Sequence, residues 1–555
     1  MPLPVRDVAK LLGLLDEELI PYGEYKAKIR LSVLQCLASR SEGRLILVTA
    51  ITPTPAGEGK TVTTIGLGDA LRRIGENASV CIREPSLGPV FGVKGGGTGG
   101  GRAQAYPADD INLHFTGDFH AISAAHNLLS ALIEAHIHHG NALRFDAHGV
   151  WWNRVLDVLD RSLRKVIIGI GGKSNGVPRE TGFEITAASE IMALLSLSRD
   201  LSDMRRRIEQ VVVGTTPDDK PITAGDLRAA GALAVLLRDA LMPNLVQTLE
   251  GTPLFVHTGP FGNIATGCSS VIADRIALQT SDFVVTEAGF GSDLGFEKFC
   301  HIVAPVLGKS PDVAVLVATV RALKVHSGKF KVVSGKPLPE ELDRENLPAL
   351  EQGAVNLKAH IDIVHRLGVP VVVAINRFPC DTEAEIDLLG KLAMQAGAEG
   401  VAVSESFARG SEGGVALAEA VRDVCVTHSN HFQPLYRPDA SLQEKIETVA
   451  TQVYGAGEVC YEAGVRSRLK QFERWGFRTL PICFAKTQFS LSHDPNLKGA
   501  PRGFSLHVTD AQLAAGAGFV RVLCGDMMTM PGLPAEPSAL RMDIDEHGQI
   551  VGASW

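Results

Sequence analysis

The sequence predicts an α/β fold: a P-loop-containing, mostly parallel sheet flanked by helices, with smaller α/β domains toward the C-terminus. Three observations predict it. Short apolar runs recur along the chain with helical stretches between them, which is the pattern of βαβ units. Runs such as Val371-Val372-Val373-Ala374-Ile375 are apolar without alternation, as strands covered on both faces are. Near the N-terminus an apolar run, a small-residue turn and a helical pattern follow one another, the order found at phosphate-binding loops.

In chain order, residues 1–44 read as helical. The first of them, MPLPVRDVAKLLGLLDEELIPYG, carry Asp and Glu among the apolar residues and end in a Pro-Tyr-Gly break, unlike a signal peptide. Strands are expected at 45–51, 78–82, 166–170, 211–213, 254–257, 283–286, 313–320, 369–375 and 401–403. Ligands of such sheets bind at the carboxyl ends of strands. The run GVKGGGTGGG at 92–101 lacks side chains to pack and reads as a loop over a ligand. The polar, proline-rich stretch 331–347 reads as a loop and a boundary. After Ser441 a helical stretch is followed by strands at 481–485, 503–508 and 519–524 and a closing hairpin at 540–551. Three domains are therefore expected, at 1–345, 346–440 and 441–555.

Composition narrows the function classes. Of 555 residues, 45% are hydrophobic and 21% charged, as in ordinary globular chains. The net charge of −8 disfavours a general nucleic-acid binder while leaving room for a local basic pocket. Nine cysteines lie scattered without a C-x-x-C pair, so reduced thiols in the cytoplasm are expected over disulfides or zinc. No uncharged apolar run reaches bilayer-spanning length.

The chemistry concentrates in a few stretches. Thr54-Pro55-Ala56-Gly57-Glu58-Gly59-Lys60-Thr61 follows the first sheet strand. Its backbone N–H groups and the helix N-terminus suit phosphate oxygens, Lys60 suits the terminal phosphates of ATP, and the Thr61 hydroxyl suits Mg²⁺. Thr54 stands where the usual motif has its first glycine. Arg83, at the end of the next strand, suits bidentate hold of a phosphate or carboxylate; the plain alternative pairs it with Glu84 on the surface. Asp118 is either a cation ligand near the phosphates or the N-cap of the helix that follows. His136, His138 and His139 sit where that helix ends before Gly140 and read as C-terminal cations rather than a metal site. Asn376-Arg377-Phe378-Pro379 lacks the Lys and Asp of a guanine-reading element. Phe378 and Phe407 follow successive strands; each reads either as core or as a stacking face for a flat ligand. No nucleophile–base pair has a recognisable spacing, which fits phosphoryl transfer by positioning and electrostatics.

Together, TPTPAGEGKT, REPSLGPVFGVKGG, DINLHFTGD, GKSNGVPRETGF, PNLVQTLEGTP, VTEAGFGSDLG, VATVRALK and MTMPGLP resemble formate–tetrahydrofolate ligases, in collinear order from about residue 20 to the C-terminus. The resemblance accounts for Thr54, because that family carries TPAGEGKT. It implies an enzyme of one-carbon metabolism that makes formyl phosphate from ATP and formate and passes the formyl group to tetrahydrofolate. It further implies that residues 54–61 bind ATP, that Lys60, Arg83 and Asp118 act in catalysis, and that Thr61, Glu84 and Asp118 lie near Mg²⁺ and a monovalent cation such as K⁺ or NH₄⁺. Phe378 matches a pterin-contacting aromatic, and Phe407 stands where some relatives have Trp. A homotetramer with small-molecule substrates is also implied. Two other readings were open: a P-loop ATPase that switches a protein partner, and a bifunctional folate enzyme with dehydrogenase activity. The first needs a Lys where Thr54, Pro55 and Ala56 stand; the second needs a dinucleotide domain for which the length leaves no room.

Overall fold

The computed structural model describes residues 2–555 apart from Ala56, Lys94, Ser334, Gly335 and Ser554. A twelve-stranded sheet organises it. Its strands in chain order are β1 (Leu19–Pro21), β2 (Ala27–Ile29), β3 (Arg44–Ala50), β4 (Ala78–Ile82), β5 (Gly99–Gly100), β6 (Ala103–Tyr106), β7 (Asn244–Thr248), β8 (Pro253–Val256), β9 (Phe283–Glu287), β10 (Val313–Ala318), β11 (Val371–Asn376) and β12 (Gly400–Ser404). Across the sheet they run β1-β2-β7-β8-β4-β9-β3-β10-β11-β12, with β6 and β5 attached beside β7. From β8 to β12 every neighbouring pair is parallel. The β1, β2, β5, β6 and β7 side is antiparallel.

Strand β3 shows why its residues form this element. Leu45 and Leu47 pack into the apolar cluster on one face, and Ile46, Val48 and Ala50 into the cluster on the other. Side chains alternate faces along a strand, so a run without polar positions is buried on both sides. Burial of five such side chains contributes on the order of 1.5–3 kcal/mol each for the larger ones.

The structure departs from expectation at three places. Residues 1–44 form one helix at Val5–Leu11, the hairpin β1–β2 and the short helix Val33–Leu37, not a helical arm. The Pro21-Tyr22-Gly23 break is the hairpin turn, with Gly23 at φ +83°. The runs at 166 and 211 lie outside the main sheet, in the antiparallel ribbons Val166–Ile168 with Arg179–Thr181 and Val212–Thr215 with Pro221–Thr223. Each run pairs with the next strand in the chain, so it forms a local ribbon rather than a crossover. Residues 346–440 supply β11 and β12, which extend the same sheet rather than build another.

Beyond the main sheet, β13 (Glu458–Tyr461), β14 (Ile482–Ala485), β15 (Ser505–Ala514) and β16 (Phe519–Cys524) form a four-stranded sheet with its own apolar cluster. A two-residue hairpin, Asp543–Ile544 with Ile550–Val551, closes the chain.

Candidate active site

The chain reverses its direction across the sheet around β3, whose neighbours are β9 and β10. Loops leaving β3, β4 and β9 at their carboxyl ends therefore meet there. The turn after β3 leads into the helix Lys60–Arg73. Gly57 and Gly59 have φ +76° and +71°. Gly59 is required twice over: a Cβ would be strained at that φ and would overlap the Asn376 amide. That amide donates to the Glu58 carbonyl at 3.0 Å, so β11 braces the turn. The Glu58 carboxylate accepts from the Thr54 N–H at 2.7 Å and the Thr54 hydroxyl at 3.0 Å. Thr54 thus closes the turn by a side chain. Burial pushes the Glu58 carboxyl up to about 7, against the Thr54 hydrogen bonds. Pro55 lies in the turn, and Ala56 lies outside the described residues.

Lys60 opens the helix, and its ammonium donates to the carbonyls of Ala288 and, at 3.2 Å, Phe290. The Thr61 hydroxyl donates to Glu287 Oε2 at 2.9 Å. Arg83 donates from Nη1 to the Pro260 carbonyl at 3.1 Å, and its Nη2 lies 3.9 Å from Glu287 Oε1. Glu287, the last residue of β9, therefore joins Thr61 to Arg83. Sequence reasoning missed it. The available signal was an acid ending the apolar run Phe283-Val284-Val285-Thr286.

Arg83 does not pair with Glu84 on the surface. Glu84 is buried, and its Oε2 has no hydrogen-bond partner among the described residues. Burial, reinforced by nearby Asp118, raises its carboxyl well above the usual range, and Lys28 opposes the shift. Asp118 is not the N-cap either. Gly117 holds that position at φ +89°, and Asp118 is the first residue of the helix Asp118–His138. Its carboxylate accepts from Lys28 Nζ at 2.7 and 3.0 Å and from Asn244 Nδ2 at 2.9 Å. An ammonium already sits at this carboxylate, and Lys28 too escaped sequence reasoning. The histidines at 136, 138 and 139 end that helix; His136 Nε2 accepts from the Leu143 N–H at 3.0 Å. Among the described residues no three His, Cys, Asp or Glu side chains group as a metal site.

Phe378 and Phe407 follow β11 and β12, which pair with Asn376 opposite Ser404. The Arg321 guanidinium covers the Phe378 ring at 3.6 Å. Phe407 is 57% exposed, so it is not core. Its carbonyl accepts from the Arg102 N–H at 2.9 Å, and a Cβ on Gly101, at φ +60°, would overlap that carbonyl. The glycine run thus packs closely against the Phe407 segment.

Behind the turn lies a buried polar network. The Thr52 hydroxyl is 2.9 Å from His360 Nε2, and Asn356 Nδ2 donates to that hydroxyl at 2.9 Å and to the Gly499 carbonyl at 2.7 Å. Ser292 Oγ is 2.7 Å from His360 Nδ1. Lys486, at the end of β14, donates to Asp293 Oδ2 at 2.7 Å with both side chains fully buried. Burial pushes His360 down to about 4. The C-terminal sheet therefore holds the 288–293 loop whose carbonyls hold Lys60.

No helix among the described residues is long and apolar enough to cross a membrane. The family model for formate–tetrahydrofolate ligase matches residues 1–554. The chain is 54% identical over 551 residues to a formate–tetrahydrofolate ligase of Roseiflexus sp. (strain RS-1), covering 99% of this chain and 98% of that one. It is 53% identical over 551 residues to one of Saccharopolyspora erythraea, covering 99% and 97%. It is 54% identical over 550 residues to one of Paracoccus denitrificans, again covering 99% and 97%. With the turn, its bracing strands and the carboxylate between Thr61 and Arg83 in place, matches of this length show that the chain belongs to the formate–tetrahydrofolate ligase family.

Proposed function

We propose that the chain joins formate to tetrahydrofolate in an ATP-driven reaction, the one its family is named for, giving 10-formyltetrahydrofolate, ADP and phosphate. The observation that carries the residue assignment is Glu287. One buried carboxylate ties the hydroxyl beside the turn to the arginine of the next strand. The same few ångströms thus suit an ATP phosphate and the anion that receives it.

In the first step a formate oxygen attacks the γ-phosphorus, the bond to the β-phosphate oxygen breaks, and ADP leaves with those electrons. The turn N–H groups and the helix N-terminus hold the phosphates. Lys60 neutralises charge on the moving phosphoryl group. In the second step N10 of tetrahydrofolate attacks the formyl carbon, phosphate departs, and N10 loses its proton. Arg83 stabilises that leaving phosphate, and Arg83→Ala should lower kcat by roughly 10²–10³-fold, in line with the loss of one fixed charge donor. A variant with parental kcat in a formyl-transfer assay would remove Arg83 from the chemistry.

The donors present fit Mg²⁺. Thr61 and Glu287 would hold it through a hydroxyl and a carboxylate, the hard oxygen donors that this ion takes. When bound, the ion would supply charge neutralisation to the phosphates. A monovalent cation fits Glu84, whose Oε2 is buried without a partner, with Asp118 alongside carrying Lys28 as its counter-charge. Glu84→Gln should abolish activation by K⁺ or NH₄⁺ while the ATP KM changes less than about twofold. Undiminished activation in a salt titration would place the cation elsewhere.

Phe407 is the face assigned to the pterin, being exposed where Phe378 already carries Arg321 on its ring. Phe407→Ala should raise the tetrahydrofolate KM by about 3–10-fold, the worth of one aromatic contact, and leave the ATP KM unchanged. An unchanged folate KM sinks that role. Homotetramer formation is supported by the resemblance and by Ile167 and Ile170, each 66% exposed on one ribbon. A cytoplasmic location is supported by the nine unpaired cysteines.

A further inference from the structure

A second cavity, about 430 Å³ in volume, lies between the main sheet's helical layer and the C-terminal sheet. Trp151, Trp152, Glu184, Glu190, Asp510 and Arg521 are among its walls. It shares no residue with the site described above.

The indoles are fixed. Trp151 donates from Nε1 to the Val212 carbonyl at 3.0 Å, remains 42% exposed, and lies 6.1 Å from the Trp475 ring. Trp152 donates to the His126 carbonyl at 3.3 Å and stacks on the His126 ring at 4.2 Å. With both N–H groups used and Trp152 buried against His126, what is left to offer is the ring face of the exposed Trp151. Among the described residues neither carboxyl makes an ion pair, although the Arg521 charge lies near enough to both to oppose their upward shift. Glu190 is only 9% exposed; its Oε1 accepts from the N–H groups of Gly516 and Ala517 at 2.7 and 3.3 Å, and its Oε2 has no partner among the described residues. Glu184 Oε1 accepts from Asn153 Nδ2 at 3.1 Å, and its Oε2 is likewise without a partner among them. Arg521 donates to the carbonyls of Ile264 and Ala188 and to Gln512 Oε1, and to no carboxylate. Arg468 is paired with Asp510. Burial pushes the Glu190 carboxyl up to about 7 and also raises Glu184, outweighing the Arg521 charge that opposes both shifts.

We propose that this cavity is a ligand site for a small organic cation, an ammonium or amidinium group carried on a flat apolar body. The charge goes to Glu184 and Glu190, and the flat body lies against tryptophan, where cations are attracted to the ring face. An anion meets two carboxyls that make no ion pair. A neutral molecule of the same shape leaves them without a partner. The volume suits a ligand of roughly this size, since small-molecule sites span about 300–1,000 Å³.

The test uses the full chain and three ligands of one shape: benzamidinium, neutral benzamide and anionic benzoate. Binding is followed by calorimetry and by intrinsic fluorescence, because Trp151, Trp152 and Trp475 make up three of the four tryptophans. Benzamidinium should bind saturably and quench or shift the emission, benzamide should bind at least tenfold more weakly, and benzoate should not bind. Glu184→Gln should weaken benzamidinium at least tenfold and leave the formyl-transfer rate unchanged. Trp151→Ala, at the exposed lip, provides a second variant if Glu184→Gln is unstable, and it should weaken binding at least threefold. The proposal is overturned by no saturable signal up to roughly 10 mM, by equal binding of benzamide, or by a folded Glu184→Gln variant with unchanged affinity.

Discussion

Lys60→Ala should lose formyl transfer by at least about 10²–10³-fold in kcat, the scale seen when one preorganised electrostatic group is removed. Its fold should survive. Lys60 is the first residue of its helix and its ammonium donates to carbonyls of the adjoining loop, where water can replace it. Alanine also has the higher helix propensity. The measurements are 10-formyltetrahydrofolate formation, read as methenyl-tetrahydrofolate after acid conversion, and a thermal melt. A variant with the parental rate would refute the phosphate-binding assignment of residues 54–61. Lys60→Arg sharpens the result: it keeps the charge but changes its shape, and should recover little of the rate.

Lys486→Met should lower stability more than any other single change named here. It leaves Asp293 charged, buried and without its counter-ion, a situation that costs about 3–5 kcal/mol. At about 1 °C per kcal/mol for a chain of 555 residues, Tm should fall by roughly 3–4 °C. Adding Asp293→Asn should return much of the loss, because removing both charges is far milder than stranding one. The pair also reaches the reaction. Asp293 belongs to the loop whose Ala288 and Phe290 carbonyls hold Lys60, so kcat should fall at temperatures where the single variant is still folded. Equal Tm values for parent, single and double variants would show that the pair is not coupled to folding.

The parallel half of the sheet was legible because its strands are apolar on both faces. Runs such as 78–82 and 283–287 need no partner to be recognised as strands. The antiparallel half was less legible. Residues 244–248, Asn-Leu-Val-Gln-Thr, keep polar groups because those groups are used: Asn244 reaches Asp118, and Thr248 reaches Asp69 at 2.6 Å. The placing of Lys60, Thr61 and Arg83 was read from local order: Lys60 and Thr61 open the helix after the turn that follows β3, and Arg83 follows β4 directly. Glu287 was not, because its meaning comes from pairing with Val48, far away in the sequence. Lys28 and Asp118 are hidden in the same way. Nothing local distinguishes a lysine that will neutralise a buried carboxylate from one that faces water.

The place of β3 at the middle of the sheet also dictates timing during synthesis. Its two hydrogen-bonded neighbours are β9 and β10, so Val48 pairs with Glu287 on one side and Val315 on the other. At the usual elongation rates of about 5–20 residues per second, β3 waits roughly 10–50 seconds for the first of them. Until then both backbone edges of β3 lack the strands that pair with them in the finished sheet. The turn it carries cannot acquire its bracing from Asn376 until still later. The nascent chain therefore holds the whole 54–61 stretch long before β11 supplies the amide that braces it.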